Sequence, residues 1–257
     1  MTGDEQLARR LESFQASVSA DVAAVTPGGA VLEIGDGSAV FAGLGSPLTQ
    51  AIGVDRDVDR IERFFFERGS PSMIQVNPWS PREFTNALAT RGYRIVEFEN
   101  VFGIAMDETI EANGDVDIEE THDVSTWAKI AAEAFATPEM SAEFLIDVMT
   151  PFARARHARC YLAYVDDKPA GAASMVARAD LRVAGFFGAG TRTRFRNRGV
   201  QTALLQRRMA DAARAGCELG IVTTQPGSAS HRNVSRRGFE VLYTKLTMRL
   251  DMPARGA

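Results

Sequence analysis

The sequence predicts an α/β fold of the α+β kind, with mixed sheets arranged in two tandem domains. Three observations carry that reading. Helical apolar stripes alternate with short strand-like runs along the chain, several strands are joined as tight hairpins, and the second half repeats the punctuation of the first. Hairpins make a mixed sheet the expectation rather than a fully parallel one. At 257 residues the chain suits two modest domains or one large one. The polar, glycine-containing stretch 107–115 is the best linker, dividing the chain into residues 1–110 and 116–257.

In the first half, Leu7, Leu11, Phe14, Val18, Val22 and Val25 form a helical stripe with Asp4 and Glu5 at its positive end, and Pro27-Gly28-Gly29 breaks it. Residues 30–34 and 38–42 flank Gly35-Asp36-Gly37 as a hairpin. A strand over 49–54 leads into a helix over 55–68, with Val58, Ile61, Phe64 and Phe65 on one face and Gly69 as its stop. After a strand at 73–76, Ser80-Pro81-Arg82-Glu83 has the pattern of a capping box with proline first in the helix. A strand-like run over 93–106 closes this half.

The second half predicts helices over 124–135 and 140–149, then strands over 160–165 and 170–176 around Asp166-Asp167-Lys168-Pro169. A glycine-rich strand follows at 181–189. From Gly199 a helix carries Val200, Leu204, Leu205, Met209, Ala212 and Ala213 inward, with Gln206, Arg207, Arg208 and Asp211 on the opposite face. Gly216 closes it, ahead of a strand at 219–224, a brief helix at 228–236 and a strand-rich tail at 239–250. Gly69 to Ile74 and Gly216 to Ile221 share one spacing, and Arg91-Gly92-Tyr93 answers Arg237-Gly238-Phe239. This reads as an internal duplication.

The stretch 190–201 holds the chemistry. It leaves a strand, opens a strong helix, and sets four arginines (Arg192, Arg194, Arg196, Arg198) beside Gly190 and Gly199. Helix N-terminal N–H groups with guanidinium charge suit a pyrophosphate, although a solvated basic turn has the same composition. The matching place in the first half carries Asp55, Asp57 and Asp59, which favour a helix N-terminus and repel phosphate.

Arg196-x-x-Gly199-x-Gln201, followed downstream by Ser230-His231-Arg232-Asn233 and Gly238-Phe239, resembles the two signatures of the GNAT superfamily of acyl-CoA N-acyltransferases. The likeness covers about 116–250 and implies tandem GNAT-like domains, the first a degenerate copy. It implies a splayed mixed sheet with acetyl-CoA, or another acyl-CoA, in the opening. The backbone of Arg196, Asn197, Arg198, Gly199, Val200 and Gln201 would hold the pyrophosphate, Gly190 and Thr191 would pair with the pantetheine arm, and Ser230 and Asn233 would touch the cofactor. Two departures stand out. Gln201 replaces the small residue usual there, and Val234 stands where many members carry a tyrosine acid.

An amine must lose a proton and a thiolate must leave, so an acid and a base are sought. Tyr243 on the following strand is the candidate acid, against a plain core aromatic. Glu133, Glu139, Asp180 or a water chain remain open as the base. The expected activity is acetyl transfer from acetyl-CoA to a primary amine of a small molecule or peptide. The alternatives are an acyl-CoA-binding module without turnover and, more remotely, a nucleotide-binding protein lacking a P-loop ending. A net charge of −4 points to no nucleic-acid or anionic-membrane partner. Three scattered histidines predict no metal site, while two isolated cysteines and a polar N-terminus suggest a cytoplasmic protein.

Overall fold

A computed structural model describes residues 3–110, 116–137 and 140–253. The elements in order are α1 (Gly3–Ala24), β1 (Ala30–Ile34), β2 (Gly37–Phe41), β3 (Gln50–Ile52), α2 (Val58–Phe66), β4 (Ser72–Val76), α3 (Arg82–Thr90) and β5 (Arg94–Ala105). There follow β6 (Asp117–Thr121), α4 (Val124–Phe135), α5 (Ala142–Arg154), β7 (Ala158–Val165), β8 (Lys168–Arg178) and β9 (Val183–Thr191). After a 3-10 turn, Thr193–Phe195, come α6 (Val200–Arg214), β10 (Leu219–Thr224), α7 (Ala229–Ser235) and β11 (Glu240–Leu250). The mixed α/β class is as expected.

Two compact units form, and they follow a different line from the linear division at residues 110–116. One comprises Met1–Gly103 with Thr223–Ala257, and the other Ile104–Val222. Within the first unit, strands run in the order β1-β2-β3-β4-β11-β5. The C-terminal strand β11 is antiparallel to both β4 and β5, so the end of the chain folds with its beginning. The second unit orders its strands β10-β9-β8-β7-β6.

The helices and strands form for the reasons the pattern suggested. Leu11, Phe14 and Val22 bury the stripe of α1, and Ile61, Phe65, Ile74 and Leu88 centre the first core. Trp127, Leu162 and Ala172 belong to the core of the second. Asp166 and Asp167 both adopt positive φ (52° and 56°), the geometry of a two-residue hairpin turn. Asp and Asn tolerate that region best after glycine.

Two local expectations change, and one strand is added. Helix α3 starts after Pro81 with no side-chain cap, because Ser80 Oγ accepts from Asn77 N–H at 3.0 Å and shapes the preceding turn instead. Helix α5 continues through buried Pro151 to Arg154, since a proline in the last turn removes a single intrahelical bond. Strand β6 was hidden by its acidic composition. It lies at a sheet edge, where charged side chains block further pairing, and Glu120 there binds Arg159 at 2.6 Å.

The repeat is visible in the hydrogen bonding. Ser70 N–H reaches Phe65 O and Cys217 N–H reaches Ala212 O, each across a glycine with φ near 70–84°. Tyr93 to Leu88 and Phe239 to Val234 repeat the same closure past Gly92 and Gly238. All four are helix ends sealed by a bond back over a left-handed glycine. The two isoleucines also match, with Ile74 pairing parallel to Ala51 and Ile221 parallel to Gly185.

Candidate functional site

The site grows from an irregularity in β9. That strand pairs with parallel β10 at only Val183, Ala184 and Gly185, opposite Leu219, Gly220 and Ile221, yet it runs on to Thr191. Just past the last pair, its register with antiparallel β8 jumps from Ser174↔Phe187 to Ala172↔Gly190. Two residues of β9, Gly188 and Ala189, thus oppose Ala173 alone. This is a β-bulge, and it bends the strand as its pairing with β10 ends. Gly188 supplies the positive φ of 56° that the bend needs.

A bulge leaves backbone groups unpaired, and three side chains take them up. Trp127, fully buried on α4, donates its indole N–H to Ala173 O at 2.9 Å. Arg208 Nη1 on α6 donates to Ser174 O at 2.9 Å and Phe187 O at 3.4 Å, while Nε bonds Leu204 O at 3.0 Å. Ser174 Oγ adds a bond to Phe187 O at 3.3 Å. Arg208 is 2% exposed, and burial pushes its guanidinium pKa down to about 10, which still leaves it charged at neutral pH. Sequence periodicity put Arg208 and Asp211 on the outer face of α6, but both are buried. Asp211 accepts from Tyr161, Arg159 and Arg207 at 2.9–3.1 Å. Nothing in the spacing alone separates such an inward arginine from a solvated one.

Beyond Thr191 the chain turns through the predicted basic loop. Buried Phe195 and Val200 pin its two ends, and Arg196, Asn197, Arg198 and Gly199 between them are exposed. Asn197 (φ 62°) and Gly199 (φ 77°) are both left-handed, and Gly199 is the N-cap of α6 without any side-chain cap. The first N–H groups of that helix have no intrahelical acceptors and carry the positive end of its dipole. A Cβ at Gly199 would meet only Val116 at 4.0 Å, so the backbone there is open to an approaching group. Of the four arginines, two are engaged: Arg192 with Glu133 at 2.7 Å and Pro169 O at 3.1 Å, and Arg198 with Asp166 at 3.0 Å. The other two, Arg194 and Arg196, are exposed, with Arg194 over the Phe195 ring at 4.8 Å.

Gly190 and Thr191 lie at the end of β9 leading into this turn. At Gly190 a Cβ would lie 2.4 Å from that of Ala134, so glycine lets α4 close over the strand. Thr191 Oγ1 is buried and has no hydrogen-bond partner among the described residues. A buried hydroxyl without a partner is costly.

Ser230, Asn233 and Tyr243 fall in the other compact unit. Ser230 and Asn233 are exposed on α7, where Asn233 Oδ1 accepts from Arg236 at 3.4 Å. Tyr243, expected as a general acid, is buried in the first unit and donates its hydroxyl to Glu12 at 2.6 Å. Burial, reinforced by that carboxylate, raises its pKa, so the phenol holds its proton against Glu12. Among the candidate bases, Asp180 is paired with Arg178 at 2.7 Å in the turn before β9, and the hydrogen bonds from Arg178 lower its pKa, which suits an ion better than a base. Glu133 is ion-paired with Arg192, and Glu139 lies outside the described residues. No group of three or more metal-ligating side chains, and no helix long and apolar enough to cross a membrane, occurs among the described residues.

A bulged strand thus parts from its parallel neighbour and leads through a basic left-handed turn into a helix. Residues 122–239 match the acetyltransferase (GNAT) family. A GCN5-related N-acetyltransferase from Kribbella flavida superposes with a TM-score of 0.67 at 16% identity, covering 98% of this chain and 96% of that one. A tandem GNAT protein from the clavulanic acid biosynthesis pathway gives 0.62 at 14% identity over 99% and 97%. A GCN5-related N-acetyltransferase from Sphaerobacter thermophilus gives 0.55 at 19% over 78% and 68%. No curated protein matches the chain. The whole chain therefore has the tandem GNAT fold.

Proposed function

We propose that the protein is a cytoplasmic N-acetyltransferase that moves the acetyl group of acetyl-CoA directly onto a primary amine of a small molecule or peptide. The observation that carries this reading is the conjunction, in one unit, of the bulged β9 and the open Arg196–Gly199 backbone at the start of α6. The N–H groups from Arg196 to Gln201 would bind the pyrophosphate, and the edge of β9 at Gly190 and Thr191 would pair with the pantetheine arm. When bound, the thioester supplies an activated acyl carbon. Arg194 and Arg196 would hold the phosphates electrostatically, while Trp127 and Arg208 keep the strand bulged. The first unit would then be a copy that has lost this turn.

An amine with a pKa near 10.4 is mostly protonated at neutral pH, so it must lose its proton before attack. With Tyr243 tied to Glu12, solvent is the proton route for both amine and thiolate. Turnover should therefore rise with pH toward the pKa of the amine. The absence of a carboxylate in the sequence of β9 favours one alternative, an acyl-CoA-binding module without turnover. Incubation with acetyl-CoA and a panel of amines, read by thiol release, separates the two. Thiol release with at least one amine supports the transferase, whereas thermal stabilisation by acetyl-CoA with no release on any amine supports the binding module.

A further inference from the structure

We propose that the first compact unit carries a second ligand site, a small pocket for an organic ammonium ion of the size of a short primary amine. The pocket lies where β3 and β4 part, after their single parallel pair Ala51↔Ile74. Gly53 and Val54 line it just past the end of β3, Gln75 from β4 and Asn77 just past that strand, and α1 lies across it. It occupies the place in this unit that the β9–β10 opening occupies in the other, but its chemistry is inverted.

The walls carry four carboxylates, Glu5, Glu12, Asp36 and Asp55, against two guanidiniums, Arg9 and Arg56. Both guanidiniums are already paired within the wall, Arg56 with Asp55 at 2.6 Å and Arg9 with Glu5 at 3.5 Å. Glu12 and Asp36 are left to set the sign of the cavity. Glu12 is 3% exposed and accepts a neutral hydrogen bond from Tyr243. The nearest ammonium, Lys245, stands 4.0 Å away and gives its hydrogen bonds to Gln15 and Gln75 oxygens at 2.7 Å. A buried carboxylate with so little direct compensation favours a cation beside it. Trp79 also lines the cavity, its ring held edge-to-face against Tyr243 at 5.7 Å, and an indole is the best aromatic neighbour for an ammonium group.

Size and charge narrow the ligand. The volume is ≈ 60 Å³. One water needs about 10–15 Å³, so a handful of heavy atoms fits and a CoA moiety does not. The carboxylates exclude phosphate esters. This site stands independently of the acyl-CoA reading, because every residue named belongs to the first unit.

The test is calorimetric titration with n-butylamine at neutral pH, with n-butanol and butyrate as neutral and anionic counterparts, on the full chain. Butylammonium is expected to bind and its counterparts are not. Glu12→Gln, which keeps an acceptor for Tyr243, should weaken binding by about tenfold or more, and Trp79→Leu and Asp36→Asn should weaken it less. Acetyl-CoA titrations on the same variants should be unchanged, which shows that they are folded and keeps the two sites distinguishable. The proposal is overturned if butylammonium gives no binding at tens of millimolar, if all three substitutions leave its affinity unchanged, or if butanol binds equally well.

Discussion

The segments β3–α2–β4 and β9–α6–β10 share one backbone plan and carry opposite charge. In each, a strand passes through a left-handed residue into a helix that ends at a left-handed glycine, and a parallel strand follows. The left-handed residue is the helix N-cap in both: Asp57 at φ 59° and Gly199 at φ 77°. Around Asp57 stand Asp55 and Asp59, whereas Arg194, Arg196 and Arg198 precede Gly199. Carboxylates at a helix start stabilise the helix and occupy the place an anion would take. A bare glycine in the same position leaves the N–H groups open. The strands differ too, since β3 has 3 residues while β9 has 9 and bulges. The two segments keep one backbone plan, and a few residues at the strand-to-helix turn set their opposite charge.

The sharpest way to break that comparison is to crowd both N-caps. Gly199→Trp should abolish acetyl-CoA binding, a loss of ~100-fold or more in calorimetric titration. The cost in stability is limited to about 1–2 kcal/mol of left-handed strain, because the site is open. Asp57→Trp should leave acetyl-CoA affinity where it was. Equal effects of the two substitutions would mean that the turns are not functionally distinct.

The next largest effect tests whether the bulge matters. Arg208→Met removes the donors to Ser174 O, Phe187 O and Leu204 O while keeping similar bulk. A buried acceptor left unpaired costs about 1–3 kcal/mol, so a loss of ~3 kcal/mol in urea unfolding is expected. Acetyl-CoA affinity should fall with it. Arg208→Lys, which restores one cationic donor, should recover part of both. Trp127→Phe frees Ala173 O alone and should cost about 1–3 kcal/mol.

Much of this was legible in the sequence, for reasons the residues make plain. Punctuating glycines with a required positive φ (69, 92, 216, 238) located helix ends to within a residue or two, and Leu219–Thr224 was read at its true bounds. The Arg196–Gln201 turn was legible because its function, on the reading above, rests on backbone geometry that glycine and the helix start announce. Side-chain partners across the fold were not. Tyr243 looked like a strand phenol near a thioester, and only the exchange of β11 into the first unit reveals Glu12 as its partner. Arg208 looked solvated, because periodicity cannot show that a bulge in another element supplies carbonyls for it. The bonds of Trp127 and Arg208 to the bulge and the Glu12 pocket are both long-range features, and local pattern carries no signal for them.

Two carboxylates test whether the units also differ in their response to acid. Hydrogen bonds from Arg159 lower the pKa of Glu120 in the second unit, whereas burial raises that of Glu99 in the first. An unfolded glutamate titrates near pH ~4.3. Glu120 therefore contributes stability above that pH, lost as pH falls through its lower folded pKa. Glu99 does the reverse, its ionisation opposing the fold as pH rises from ~4.3 through its raised folded pKa. Urea unfolding across pH should show Glu120→Gln destabilising at neutral pH and neutral in strong acid. For Glu99→Gln the difference should move against the wild type as pH rises. Parallel trends would overturn the contrast.

The smallest expected effect isolates the backbone. Asp57→Gly removes the strain of a non-glycine residue at φ 59°, worth about 1 kcal/mol, and loses an exposed pair with Arg60 at 3.0 Å worth at most about the same. It also removes one N-terminal carboxylate from α2, a loss of about 0.3–1 kcal/mol. The net change in thermal unfolding should lie within about 1 kcal/mol of zero. The substitution copies the glycine of the second turn into the first, yet Asp55 and Asp59 still flank it, so acetyl-CoA titration should show no additional binding event. A second event on this variant would mean that the left-handed glycine, without the arginines, is enough to make the site.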